Sequence, residues 1–123
     1  MELEKALSEL EKVYKDCLSS NWGGYGAEPI DEVTYQYAVS FLKLLPEDVP
    51  TPDICPEPAG DIGFEWRKRK GRTFIVGVDK EKTLSYVGLY DGENIPGEKT
   101  FEDTMPDIII DLIKKVYQEI TNP

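Results

Sequence analysis

The sequence contains no histidine. Histidine is the usual proton acceptor near neutral pH and a member of the Ser-His and Cys-His nucleophile pairs, so these mechanisms are excluded. The two cysteines, Cys17 and Cys55, lie far apart and have no second pair beside them, which excludes a zinc site with nitrogen and sulfur ligands. We therefore expect neither a cofactor nor a bound metal.

Long apolar runs are also absent. The longest, such as residues 108–110, are far shorter than the roughly 20 residues that a bilayer-spanning helix needs. The first five residues are acidic and helical in pattern, and they lack the basic and then apolar stretches of an export signal. These absences predict a cytoplasmic protein that does not enter a membrane and whose cysteines remain reduced thiols.

Positive charge is scarce, since 14 Lys and Arg residues stand against 24 Asp and Glu residues and give a formal net charge of −10. A chain of this charge repels nucleic acid and anionic lipid on average. The charge is unevenly spread: residues 61–82 hold seven basic and four acidic residues, a net +3, and the remainder carries −13. A basic segment is thus set in an acidic chain.

Three segments have the three-and-four apolar spacing of amphipathic helices, and three have the period-two spacing of strands. The helices are predicted near residues 3–18, 33–45 after Asp31 as N-cap, and 105–120 after Thr104 as N-cap. The strands are predicted near residues 62–67, 72–78 and 83–90. Residues 91–97 resemble a turn.

This order predicts one α+β domain over residues 1–123, a two-layer sandwich of order α-α-β-β-β-α. Its sheet is expected to be a three-stranded antiparallel meander with the helices on one face. Residues 46–60 contain five prolines and are interpreted as an extended connector inside the domain. The oligomeric state is left open, because the apolar helix faces can pair within a chain or between copies.

Two aromatic residues, Trp22 and Tyr25, flank a glycine cluster at residues 23–26. Rings on such a loop can anchor a partner, or they can fold back as a lid on the core. Glu65 alternates with the apolar Phe64 and Trp66 and is expected on the solvent face of its strand, where an ion pair with Arg67 is the simplest interpretation.

Two segments together resemble those of a family of small uncharacterised bacterial proteins. Residues 21–30 read Asn-Trp-Gly-Gly-Tyr-Gly-Ala-Glu-Pro-Ile, and residues 56–60 read Pro-Glu-Pro-Ala-Gly before a Phe-Glu-Trp strand. In the proteins it resembles, an acid stands in place of Gly23. The resemblance implies a bacterial or phage source and a cytoplasmic location, and it brings no established activity. It suggests a shared surface formed by Asn21, Trp22, Tyr25, Glu57, Glu65 and Trp66.

The basic run at residues 67–72 lies at a predicted hairpin tip, where a β-ribbon can meet phosphates. Its candidate binding residues are Arg67, Arg69 and Arg72. Solvation of an exposed turn is the favoured interpretation of the run, and the net charge elsewhere disfavours nucleic acid. An acidic patch on a protein is a further possible partner of this run.

The function expected from these patterns is that of a small acidic protein-binding module, comparable to an antitoxin, an immunity factor or an adaptor, with a protein partner of unknown identity. Nucleic-acid binding through residues 67–72 is the first alternative. An enzyme that relies on carboxylates, assisted by magnesium, at a cleft beside Trp22 and Glu65 is the second. No recognisable catalytic motif supports that enzyme.

Overall fold

A computed structural model describes residues 1–18 and 29–118 of the chain. The described helices are α1 (Leu3–Asp16), α2 (Glu32–Leu44) and α3 (Asp107–Tyr117). The described strands are β1 (Asp53–Pro56), β2 (Ile62–Arg69), β3 (Arg72–Val78), β4 (Thr83–Tyr90) and β5 (Glu93–Thr100). None of these helices is both long and apolar enough to span a membrane.

The sheet has five antiparallel strands in the order β1-β2-β3-β4-β5, so the prediction of a three-stranded meander is wrong. The element order is α-α-β-β-β-β-β-α. The two missed strands are the edges of the sheet: β1 lies inside the proline-rich connector, and β5 lies where a turn was expected. Both carry proline, which a sheet tolerates at an edge because only one side of the strand needs its backbone donors.

One face of the sheet forms the core with α2 and α3. Phe41 of α2 packs on Phe64, with ring centroids 4.8 Å apart, and on Trp66 at 6.4 Å. The Tyr90 hydroxyl donates to the carbonyl of Leu112 in α3 at 2.7 Å. Helix α1 packs on α2 and on the edge strand β1. The α+β arrangement with helices on one side of the sheet therefore follows the prediction.

The helix starts show how local chemistry sets the bounds. Asp31 caps α2 as predicted, since its carboxylate accepts a hydrogen bond from the Val33 amide at 3.4 Å. Helix α3 starts later than predicted: its N-cap is Pro106, without a side-chain cap, and Thr104 plays no such role. Proline just before a helix is favourable because its fixed φ suits the start and its missing donor is not needed there.

Candidate functional site

The second face of the sheet carries no helix of the described chain, and its side chains form rows across the strands. The strand register aligns Asp53, Glu65, Ile75, Val87 and Pro96 in the middle row. Three of these residues are apolar and adjacent, on β3, β4 and β5. We call this surface the open face. It is acidic at its β1–β2 side and apolar at its β3–β5 side.

The row nearer the β1–β2 turn is built around two glycines. Gly63 and Gly77 pair directly across β2 and β3, and the side chain of Glu57 lies over both. Its Oε1 atom is 2.7 Å from the position that a Cβ on Gly63 would take and 3.0 Å from the corresponding position on Gly77. Any larger residue at either position would therefore displace the carboxylate.

Glu57 is held there by the turn between β1 and β2. Its amide donates to the Asp61 carbonyl, and the Gly60 amide donates to the Glu57 carbonyl, both at 2.9 Å. Gly60 has φ +91°, a conformation that glycine adopts without a steric penalty. The Pro-Glu-Pro-Ala-Gly segment thus has a local structural task, which is to close this hairpin with Glu57 and Asp61 on the open face.

A groove of about 310 Å³ runs from this glycine pair toward β5. Its lining combines carboxylates, small residues and apolar side chains: Glu57, Asp61, Ile75, Gly77, Ser85, Tyr86, Val87, Pro96 and Gly97. On the helix-facing side of the sheet the Tyr86 ring covers Gly97, with Cζ 2.3 Å from the position of an added Cβ. On the open face the groove is open to solvent and lies between the two carboxylates and the apolar row.

The carboxylates of the groove have little neutralising charge near them. Burial raises the pKa of Glu57, and the neighbouring Asp61 raises it further. The pKa of Asp61 is raised by burial and then by Asp79. Neither carboxylate forms an ion pair with a cation of the described chain. The groove thus concentrates negative charge that the described chain itself leaves uncompensated.

Cys55 lies beside the glycine pair but is not activated. Its Sγ donates to the Gly63 carbonyl at 3.7 Å. Burial raises the pKa of the thiol, and the carboxylates of Glu57 and Glu65 raise it further. The reactive form of cysteine is the thiolate, which this environment disfavours. A nucleophilic role for Cys55 therefore has no support in this geometry.

The basic run is exposed at residues 67–70 and buried at Arg72. Arg72 is buried, and its guanidinium donates to the carbonyls of Val116, at 3.1 Å, and Lys115 at the end of α3. It also pairs with Asp91 at 3.0 Å, and the exposed Arg69 pairs with the same carboxylate at 2.8 Å. Arg72 therefore has a structural role, and Arg69 shares the single carboxylate of Asp91 with it.

The remaining candidate residues are placed as follows. Glu57 and Glu65 both lie on the open face, in neighbouring rows. Trp66 is 1% exposed, and its Nε1 donates to the Pro50 carbonyl at 2.8 Å, so it belongs to the core. Arg67 is exposed on the row beyond Glu65. Asn21, Trp22 and Tyr25 lie outside the described residues.

One cavity is lined by described residues from both of the segments quoted in the sequence analysis. Pro29, from the end of the first segment, and Ala59 and Gly60, from the second, line one cavity of about 480 Å³. Trp66 lies in the core instead, which removes one member of the predicted shared surface. The described part of that surface is reduced to Glu57 and Glu65.

Sequence reasoning missed the apolar row of Ile75, Val87 and Pro96. The sequence of β3 did contain a signal, because its apolar residues lie on both faces of the strand. One of these faces had to point away from the helices. Pro96 carried no such signal, because its strand was not predicted. The row exists only through the pairing of three strands.

Within residues 1–18 and 29–118, no group of three acidic or cysteine side chains is arranged to hold a metal ion. In comparisons with protein-family models, with curated proteins and with solved structures, the chain matches none of them. The open face and its groove are therefore the features from which a function is argued.

Proposed function

We propose that this protein is a binding module that docks a protein partner on the open face of its sheet. The observation that carries the proposal is the uncovered apolar row of Ile75, Val87 and Pro96 beside the acidic row positions of Asp53 and Glu65. In an antiparallel sheet with one face in water, the residues on that face are usually polar. Adjacent apolar side chains on such a face therefore mark an interaction surface.

The charges of the open face indicate the chemistry of the partner. Its carboxylates are Asp53, Glu57, Asp61, Glu65 and Glu98, and Arg67 is the cation among the aligned side chains of the described strands. Leu89, 42% exposed, extends the apolar surface in the next row. A partner that offers apolar side chains with basic residues around them complements this pattern in both respects.

The same face gives little support to nucleic acid as the ligand. Phosphates would be repelled by its carboxylates, and of the three arginines proposed to bind them, Arg72 is buried and Arg69 is paired. We place the protein in the cytoplasm, where a reducing environment suits its two free cysteines, Cys17 and Cys55. An antitoxin, an immunity factor or an adaptor would have these properties.

Position-resolved photocross-linking tests the proposal. A photoreactive amino acid is placed at Val87 on the open face or, as the matched control, at Glu11 on the exposed side of α1. In cells that carry the natural gene, we expect one protein adduct from position 87 that is absent from position 11. The adduct should weaken when Glu65 is replaced by lysine. An adduct from position 11 alone, or the same adducts from both positions, would refute docking on this face.

A further inference from the structure

We propose that the groove at the Gly63–Gly77 pair receives an arginine side chain of the docked protein, next to the apolar contact. The inference rests on the proposed docking face and specifies what the partner must carry. It starts from the shape of the groove, at one end of which the Glu57 carboxylate lies directly over the sheet because Gly63 and Gly77 have no side chain. A side chain that enters along the apolar row can therefore meet this carboxylate close to the level of the sheet.

The chemistry of the lining changes along the groove. Ile75, Val87 and Pro96 provide apolar surface at one side, and Glu57 and Asp61 provide two carboxylates at the other. A side chain with an apolar stem and a cationic head complements both parts at once. The volume of about 310 Å³ is ample for one such side chain with some water.

Arginine fits the carboxylate end better than lysine does. Asp61 and Glu57 line the same end of the groove, Asp61 is close enough to raise the pKa of Glu57, and neither is paired with a cation of the described chain. A guanidinium presents five donors in one plane and can address two carboxylates together, whereas an ammonium group acts as a point charge. Pairing also offsets the cost of keeping these partly buried carboxylates ionised.

The probe is a blocked Gly-Arg-Gly peptide, compared with Gly-Lys-Gly and Gly-citrulline-Gly, titrated into the ¹⁵N-labelled protein and followed by NMR. Amide signals of Gly63 and Gly77 report on the groove, and those of Gly71 and Gly92, in the turns at the opposite end of the strands, are internal controls. We expect saturable shifts at Gly63 and Gly77 with the arginine peptide. The lysine peptide should bind several-fold more weakly, and the citrulline peptide should give no shift.

Two variants localise the effect. Glu57→Gln keeps the shape and removes the charge, so we expect the affinity to fall at least tenfold. Glu9→Gln removes the same charge at an exposed position of α1, outside the groove lining, and should change the affinity less than threefold. Gly77→Ala, which displaces the Glu57 carboxylate, is a second route to the same loss of affinity.

The outcomes separate this inference from the proposed function. If the arginine peptide leaves Gly63 and Gly77 unshifted at millimolar concentration while position 87 still cross-links a partner, the groove assignment is wrong and the docking face stands. If the peptide binds as described but cross-linking maps to α1, the docking face is wrong and the groove still recognises arginine. Equal affinity for the lysine peptide, or equal losses in Glu57→Gln and Glu9→Gln, would overturn the assignment to arginine.

Discussion

Replacing Arg72 by alanine should cost far more stability than replacing Arg69, although both arginines pair with Asp91. The Arg72 side chain is 5% exposed and that of Arg69 is 55% exposed. Besides the ion pair, Arg72 holds the carbonyls of Lys115 and Val116 in the last turn of α3. The last carbonyls of a helix lack the regular i+4 donor, and the Lys115 carbonyl otherwise accepts the Gln118 amide at 3.4 Å, so the guanidinium supplies additional donors to this helix end.

The magnitude follows from these contacts. A hydrogen bond from a charged donor contributes about 1.5–3 kcal/mol, and Arg72 makes two to the end of α3 in addition to the ion pair. Asp91 keeps its pair with Arg69, and water can reach part of the helix end, so simple addition overstates the loss. We expect Arg72→Ala to lower the free energy of unfolding by about 3 kcal/mol, which for a domain of this size is roughly 10 °C in Tm.

Arg69→Ala is the matched control, because an exposed ion pair contributes about 0–1 kcal/mol. Urea unfolding at pH 7, followed by circular dichroism, measures both variants. A loss below 1 kcal/mol for Arg72→Ala, or equal losses for the two variants, would refute the structural role of Arg72. Either result would mean that Arg72 is again a candidate for binding a ligand.

Three further results are expected from the same measurements. Glu57→Gln should stabilise the protein at pH 7, where the raised pKa of Glu57 means that its ionised form is unfavourable in the folded state. At pH 3 the carboxyl group is protonated, so no gain is expected. An unchanged stability at pH 7 would contradict this reasoning. The pKa of Tyr90 is raised from 10.0 to about 12, so stability should fall as pH rises between these values, and Tyr90→Phe should flatten that fall. Gly88→Ala should lower the free energy of unfolding by about 1–3 kcal/mol or more, because the added Cβ would lie 2.4 Å from the ring of Tyr90. That ring is anchored by the hydrogen bond from its hydroxyl to the Leu112 carbonyl. Full stability of the variant would show that the ring can move.

The central part of the fold could be predicted from the sequence because its signals are local. The alternation in β2, β3 and β4 and the Asp31 cap of α2 each occupy a few neighbouring residues. The edge strands have no such signal. In β5 the sequence Glu-Asn-Ile-Pro-Gly resembles a turn, and it becomes a strand through its pairing with β4.

The candidate site was predictable only where it coincides with a local pattern. Glu57 and Glu65 were identified from their segments, and both lie on the open face. The burial of Arg72 had a signal that was overlooked: it lies two positions before Phe74 and so shares the helix-facing phase of β3. The apolar row instead depends on the register of three strands, which is a property of the whole sheet.

The most direct test of the docking face measures how much of the cross-linked partner is recovered with each of two variants. Each variant introduces a lysine, and the two positions are almost equally exposed. Leu89 on the open face is 42% exposed and Val33 on α2 is 41% exposed, and each is replaced by lysine in the tagged protein. Docking of a basic partner on the open face predicts at least tenfold lower recovery for Leu89→Lys and unchanged recovery for Val33→Lys, with both proteins folded by circular dichroism. Recovery by Leu89→Lys equal to that of the unmodified protein would contradict the account.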